Sequence, residues 1–471
     1  MKLLKYIIVP LLTIAFVTSS CTRDNYLDEV VPRGVVIPST IEDYRLLLDN
    51  VTPDDLGNAL PISFGFDEKH SISSYMTDDH VIPNDLSQTL QGPQRRAYLF
   101  GDAVYIGNEQ DPDWNFYYNQ IYTANIILEG LESVDNGTAD DIAELQAEAK
   151  IHRAYAYFNL VNLYGLHYNP VTADTDLGVP IRQGTALENL DFTRASVQTV
   201  YDLIIQDITT SINSLQDTQS LNFTFRPSKA GAYGFLSKVY LYQGRYDLAL
   251  DAVDNALNIY NVLRDINDDE SDPFTSALNS PAVIQDPQIV WYKQAQSVIF
   301  VSDAILSEYN FDDIRAFWFT RDAIVTGSQE NALLFTRNVN QNFSDGINTP
   351  ELYLIRAECH TRLMNLALAN NDLNTLREKR FFSGSSTPIN ITNQDELLAF
   401  VKKERRLELI GNYDRLFDIK RYNLFDNDNI SITHTLESIS ATLEANSLNW
   451  ALPIAEIYIQ QNPEIQQNPR D

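Results

Sequence analysis

Cysteine is scarce. Two residues, Cys21 and Cys359, occur in 471, which excludes a disulfide scaffold and a Cys-rich zinc site. The six histidines (70, 80, 152, 167, 360 and 434) show no metal-ligand spacing. His152 and His360 fall on helical patterns, where packing or capping is the expected role. Positive charge is also short: 34 Lys and Arg face 64 Asp and Glu, a net charge of -30. That balance argues against a nucleic-acid binder, whose phosphate affinity needs clustered cations. It equally argues against adhesion to anionic lipid through a basic surface. G-x-S-x-G, P-loop, G-x-G-x-x-G and H-E-x-x-H patterns are missing, so no catalytic residue, metal ligand or cofactor is assigned. With 64 acidic residues, a carboxylate pair for glycoside hydrolysis cannot be picked out by counting.

What is present is apolar and aromatic, at 44% and 11% of residues. This is too rich for a disordered chain and long enough for two or three domain-equivalents or one large helical array. Met1 to Ser20 read as a secretory signal: Lys2 and Lys5, then the apolar run Tyr6 to Val17, then small residues before Cys21. The run is too short for a bilayer span, which needs roughly 20 residues. A Cys at this place resembles a bacterial lipobox, with Thr18 where Leu is usual. Acyl chains on Cys21 would hold the body at a membrane. Residues 22–38 then read as an extended tether.

The body reads as helices. Ser39 and Glu42 form a capping-box pattern before Ile41, Tyr44 and Leu48. Residues 114–132 and 140–164 carry helical spacing, with Gly130 and Gly165 near their ends. Residues 196–215 place Val200, Leu203, Ile204, Ile208, Ile212 and Leu215 on one stripe, with Ser196 as N-cap. Residues 228–260 fit a tetratricopeptide unit: Leu236, Ser237 and Tyr240 on the first helix, Gly244 at the turn, then Tyr246, Ala249, Ala256 and Leu257. Ala249 is the small residue that lets the two helices cross closely. A second pair is expected at 350–380, with Ala357 and Ala367 as its small positions. Such hairpins stack to bury their apolar faces.

Between the helical runs lie long irregular stretches at 51–113, 165–195, 265–290 and 320–349. Long insertions on a rigid frame are where binding surfaces usually sit. Residues 265–272 (DINDDESD) faintly resemble a calcium loop but carry Glu270 where Gly is needed, so a solvated acidic loop is expected. Cys359 reads as a small buried hydrophobe. The run Lys402, Lys403, Glu404, Arg405, Arg406 and Glu408 interleaves charges, which predicts ion pairs along a helix face.

The order of several segments resembles the SusD/RagB family of nutrient-binding outer-membrane lipoproteins of the Bacteroidetes. These are Cys21 with Asn25 to Asp28, YMTDD (75–79), residues 114–132, AEAKIHRAYAYFNLVNLYG (147–165), GVP (178–180) and Pro227 to Tyr240. They continue with YLIRAE (353–358), LNTLREKR (373–380), Glu404 to Leu409, Arg415, Asp418, Arg421 and WALP (450–453). One departure is Gly411 to Asp414, where the family usually has Glu-Gly before the Arg.

The resemblance implies an all-α body of tetratricopeptide-like hairpins with loop-rich insertions, spanning 39–471 in an N-terminal part (about 39–225) and a C-terminal part (about 226–471). It implies a surface lipoprotein, not an enzyme, that captures glycans and passes them to a SusC-like TonB-dependent transporter. Arg153, Glu358, Arg405, Glu408, Arg415 and Asp418 are then scaffold ion-pair and capping residues. Aromatic faces on the insertions are the expected ligand contacts. The first candidates are Phe64, Phe66, Asp67, Tyr75, Asp78 and Tyr98; the second are Tyr309, Arg315, Trp318, Phe319 and Arg321. Trp114, Trp291 and Trp450 read as core. Peptide capture on the same fold, a lipid-anchored hydrolase and a scaffold that binds only protein remain open alternatives.

Overall fold

Several helices in this protein start where a short polar side chain takes up orphan backbone N–H groups. The computed structural model describes residues 38–50, 65–66, 68–69, 71–267, 285–296, 300–322, 328, 330, 333–335 and 342–471. The expected signal peptide, Cys21 and nearly all of the tether lie outside them. Thr40 caps α1 (Ile41–Leu48) in a capping box with Asp43. The cap is one residue later than the Ser39–Glu42 expectation, because Thr40 has the extended backbone (φ -118°, ψ 160°) that precedes the first turn.

Asp111 caps α2 (Pro112–Leu131) by accepting from the Asp113 and Trp114 N–H groups. Thr138 and Asp141 form a second capping box ahead of α3 (Ala139–Tyr164). Ser196 caps α4 (Val197–Thr209), as the sequence predicts. Ser228 caps α5 (Lys229–Tyr242), which turns into α6 (Tyr246–Ile259). The turn rests on Gly244, whose φ of +71° suits glycine. Gly130 serves another need: a Cβ there would lie 2.0 Å from the Tyr44 hydroxyl, so α1 approaches α2 only over a glycine.

The second expected pair is α7 (Thr349–Arg362) and α8 (Leu366–Glu378), followed by α9 (Gln394–Glu408) and α10 (Arg415–Asp426). Packing runs α2 on α3, α3 on α4, α5 on α6, α6 on α7, and α7 on α8 and α9. Ala249 is fully buried on α6, which packs against α5. The main core joins Phe116, Tyr117, Phe158, Tyr164, Phe235, Tyr242, Trp291 and Trp450. Trp114, Trp291 and Trp450 are all buried, as expected. A second cluster under α7, α8 and α9 holds Leu354, Ala357, Ala369, Leu373, Leu397 and Val401.

The frame is helical; the insertions add small sheets that helical periodicity does not reveal. One has four strands in the order His80–Val81, Phe300–Val301, Leu333–Phe335, Thr320–Asp322. Its register pairs His80 with Val301 and Val301 with Leu333, so the first insertion is stitched to the later ones. Strands of two or three residues are too short to show an alternating pattern. Near the C-terminus, Ile432–Leu436 and Ile439–Leu443 form an antiparallel hairpin. Thr40 to Asp471 forms one compact unit. No helix among the described residues is long and apolar enough to cross a membrane.

Candidate functional site

The C-terminal half of α9 meets Asp78 of the first candidate cluster and Tyr309, Arg315 and Phe319 of the second. Its charged run does form ion pairs, but between elements rather than along its own face. Arg406 meets Asp78 at 2.9 Å and Asp79 at 2.7 Å. Arg405 meets Glu351 at 2.9 Å and Asp418 at 2.8 Å. Lys402 meets Asp426 and Lys403 meets Glu308. Buried charges need partners on several sides, and one helix face cannot supply them.

The early insertion enters through the turn of helix at Ile72–Met76. Asp78 follows, and Arg415 grips it with Nε and Nη2 at 2.9 and 2.8 Å. Burial pushes the Asp78 carboxyl up, but Arg415 and Arg406 outweigh it and hold the group down at about 2. The later insertion reaches the same place. Ser302 N–H donates to the Asp79 carbonyl at 3.0 Å, and its hydroxyl to the Asp78 carbonyl at 3.0 Å. Tyr309 donates its hydroxyl to the Leu407 carbonyl at 2.7 Å.

Arg315 then locks the loop. Its Nε and Nη2 donate to Asp313 at 2.9 and 2.7 Å, Nη2 also to Glu404 at 2.9 Å, and Nη1 to Glu408 at 3.3 Å. Burial alone would favour losing its charge; Glu404, Asp313 and Glu408 hold it well above the ordinary arginine range. The backbone is tied as well. Ile314 N–H donates to the Arg380 carbonyl and Phe382 N–H to the Asp312 carbonyl, at 3.0 and 3.1 Å. Asp313 forms an isolated bridge with Phe381.

This anchoring leaves three phenylalanines facing solvent: Phe311 is 86% exposed, Phe317 36% and Phe382 38%. The rings of Phe317 and Phe382 lie 6.4 Å apart, tilted by 44°. None of the three was singled out from sequence. Phe311 and Phe317 belong to the segment FDDIRAFWFTR, where only their neighbours were chosen. Phe382 follows α8 just before Ser383 and Gly384. An aromatic residue beside a Ser–Gly turn was the available signal.

Three candidates depart from the expectation of accessible ligand contacts. Phe66 is 2% exposed and stacks on His152 at 4.5 Å. Tyr98 is buried; its hydroxyl accepts from the Ile82 N–H at 3.1 Å and its ring stacks on His434 at 4.1 Å. Arg315 is fully buried among carboxylates. Packing covers the faces of these side chains. Tyr75 is half-buried with its ring 5.1 Å from His80, and Phe319 is half-buried against Leu407, Ile410 and Tyr413. Phe64, Asp67, and the side chains of Trp318 and Arg321 lie outside the described residues.

Other sequence expectations find plain roles. Cys359 is buried in the core, and burial pushes its thiol up. His152 and His360 are buried on their helices. Asp265, at the start of the calcium-like stretch, pairs with Lys379 at 3.0 Å; residues 268–284 of that region are not described. Among the described residues no group of His, Cys, Asp or Glu is placed to hold a metal ion.

Comparison with known proteins matches both halves of the frame. Residues 25–241 match a SusD-like family described as starch-binding and associating with the outer membrane. Residues 349–470 match the SusD family model that includes RagB. The chain belongs to the SusD/RagB family. SusD-like protein P38 of Formosa agariphila is 24% identical over 382 residues, 66% of this chain and 72% of that protein. A SusD superfamily crystal structure from Bacteroides thetaiotaomicron superposes with a TM-score of 0.70 at 21% identity, covering 92% of this chain and 100% of the other. A laminarin-binding SusD-like protein superposes with a TM-score of 0.58 at 22% identity, covering 84% and 93%. These likenesses place the SusD fold on the hairpins described above. The Phe317–Phe382 ring pair stands on this SusD frame, with the exposed Phe311 six residues before Phe317 in the same segment.

Proposed function

We propose that this SusD-family chain captures glycans at the cell surface and hands them to a SusC-like TonB-dependent transporter, without transforming them. The single observation that carries the binding step is the exposure of Phe311, Phe317 and Phe382, the first two on a loop anchored by Arg315 and the third tied to it by its N–H bond to the Asp312 carbonyl. Sugar rings present C–H faces that stack on such aromatic surfaces, and a fixed loop spares the ordering cost of binding. The similarity to a laminarin-binding protein supports the ligand class. In this reading residues 1–20 are removed, Cys21 carries the lipid, and residues 22–38 tether the body to the outer membrane.

Titration of the purified body against a panel of polysaccharides, followed by isothermal calorimetry, tests the proposal. Phe311→Ala is expected to weaken glycan binding at least tenfold while leaving the melting temperature unchanged, because the ring is exposed. Silence across all glycans overturns the reading. Affinity for peptides in place of glycans would move the ligand class, and release of new reducing ends would point to a hydrolase.

A further inference from the structure

Recognition of acidic glycans needs a guanidinium or ammonium with donors left for carboxylate or sulfate. The described cations around the phenylalanine platform already have partners. Arg315 serves Asp313, Glu404 and Glu408. Arg380 meets Glu408 at 3.0 Å and Gln288 at 2.7 Å. Arg377 meets Glu404 and lies over the rings of Phe381 and Phe400 at 4.5 and 5.2 Å. Lys379 pairs with Asp265 and Arg264 with Asp286, at 3.0 and 3.1 Å.

Among the described residues directly beside the rings, the exposed charge is of the opposite sign. Asp312 is exposed between Phe311 and the buried Asp313, and its carbonyl holds Phe382. The whole chain carries a net charge of -30, so its field repels polyanions on approach. Local repulsion acts within a Debye length, about 8 Å at physiological salt, which is the scale of contacts on this face.

We infer that the exposed rings of Phe311, Phe317 and Phe382 take uncharged sugar units and discriminate against uronic-acid and sulfated glycans; this rests on the glycan-capture reading above. Affinity then comes from stacking and hydrogen bonding and changes little with ionic strength.

A matched pair tests the inference with the intact body: fully methyl-esterified homogalacturonan against the same polymer de-esterified, alongside laminarin and alginate. Neutral polymers are expected to bind at least tenfold tighter than their charged counterparts, with less than a twofold change between 50 and 500 mM NaCl. Asp312→Lys is expected to narrow that gap by raising affinity for the de-esterified polymer. Tighter binding of the charged polymers, weakening steeply with salt, overturns the inference and leaves glycan capture standing. Binding of neither kind overturns both.

Discussion

Arg415 and Asp78 stand 337 positions apart in the chain and close a two-point fork, Nε to Oδ1 at 2.9 Å and Nη2 to Oδ2 at 2.8 Å. The pair ties the first insertion to the start of α10, and Arg406 on α9 adds a third contact at 2.9 Å. Planar guanidinium meeting planar carboxylate fixes direction as well as distance.

That fork predicts an acid limb in the stability profile. Asp78 titrates at about 2 in the folded protein, below the ordinary value near 3.9. A depressed carboxylate contributes stability above its unfolded value and loses it as pH falls toward the folded one. The contribution is about 2 kcal/mol, lost between pH 4 and 2. Asp78→Asn is expected to flatten this limb in urea melts. An unchanged limb would refute the assignment.

Arg315 should be costly to remove. Its loss leaves Asp313 buried without its guanidinium, while Glu404 and Glu408 keep Arg377 and Arg380. Arg315→Met is expected to cost about 3 kcal/mol. Adding Asp313→Asn should recover part of it, since a neutral amide is cheaper to bury. Denaturant midpoints of the single and double variants read this directly.

Ala249 is fully buried on α6, which packs closely against α5. Ala249→Leu is expected to destabilise by about 1–3 kcal/mol through overpacking. Asp251→Ala, on the exposed face of the same helix, should stay within about 0.5 kcal/mol. Equal effects at the two sites would argue against close helix contact at Ala249.

Lys420 carries a second pH signature, of the same sense but at alkaline pH. It is buried and donates to the Asn162 and Gly165 carbonyls at 2.6 and 2.8 Å. Burial brings its ammonium down to about 7, against about 10.4 when unfolded. Between these values the unfolded chain binds the extra proton, so folding stability rises with pH. Lys420→Met is expected to lose that rise between pH 7 and 10, as read by chemical denaturation at each pH.

The helical frame was legible in the sequence because its signals are local. The 3.6-residue stripes of α4 and α6, the Ser196 cap, the Gly244 turn and the small Ala249 all act within a few positions of one another. The scaffold role of Arg405, Glu408 and Asp418 was legible as ion pairing, though not with which partners. The burial of Phe66 and Tyr98 was not legible for a related reason: an aromatic in an irregular stretch looks exposed until the element that covers it is known. His152 covers the first and His434 the second, from 86 and 336 positions away.

Composition and periodicity therefore determined the stacked hairpins and the acidic charge. Tertiary structure alone decided which aromatic rings meet water and which arginines are already committed. Those outcomes depend on contacts between segments hundreds of residues apart, whose pairing is set by packing and desolvation rather than by any spacing along the chain.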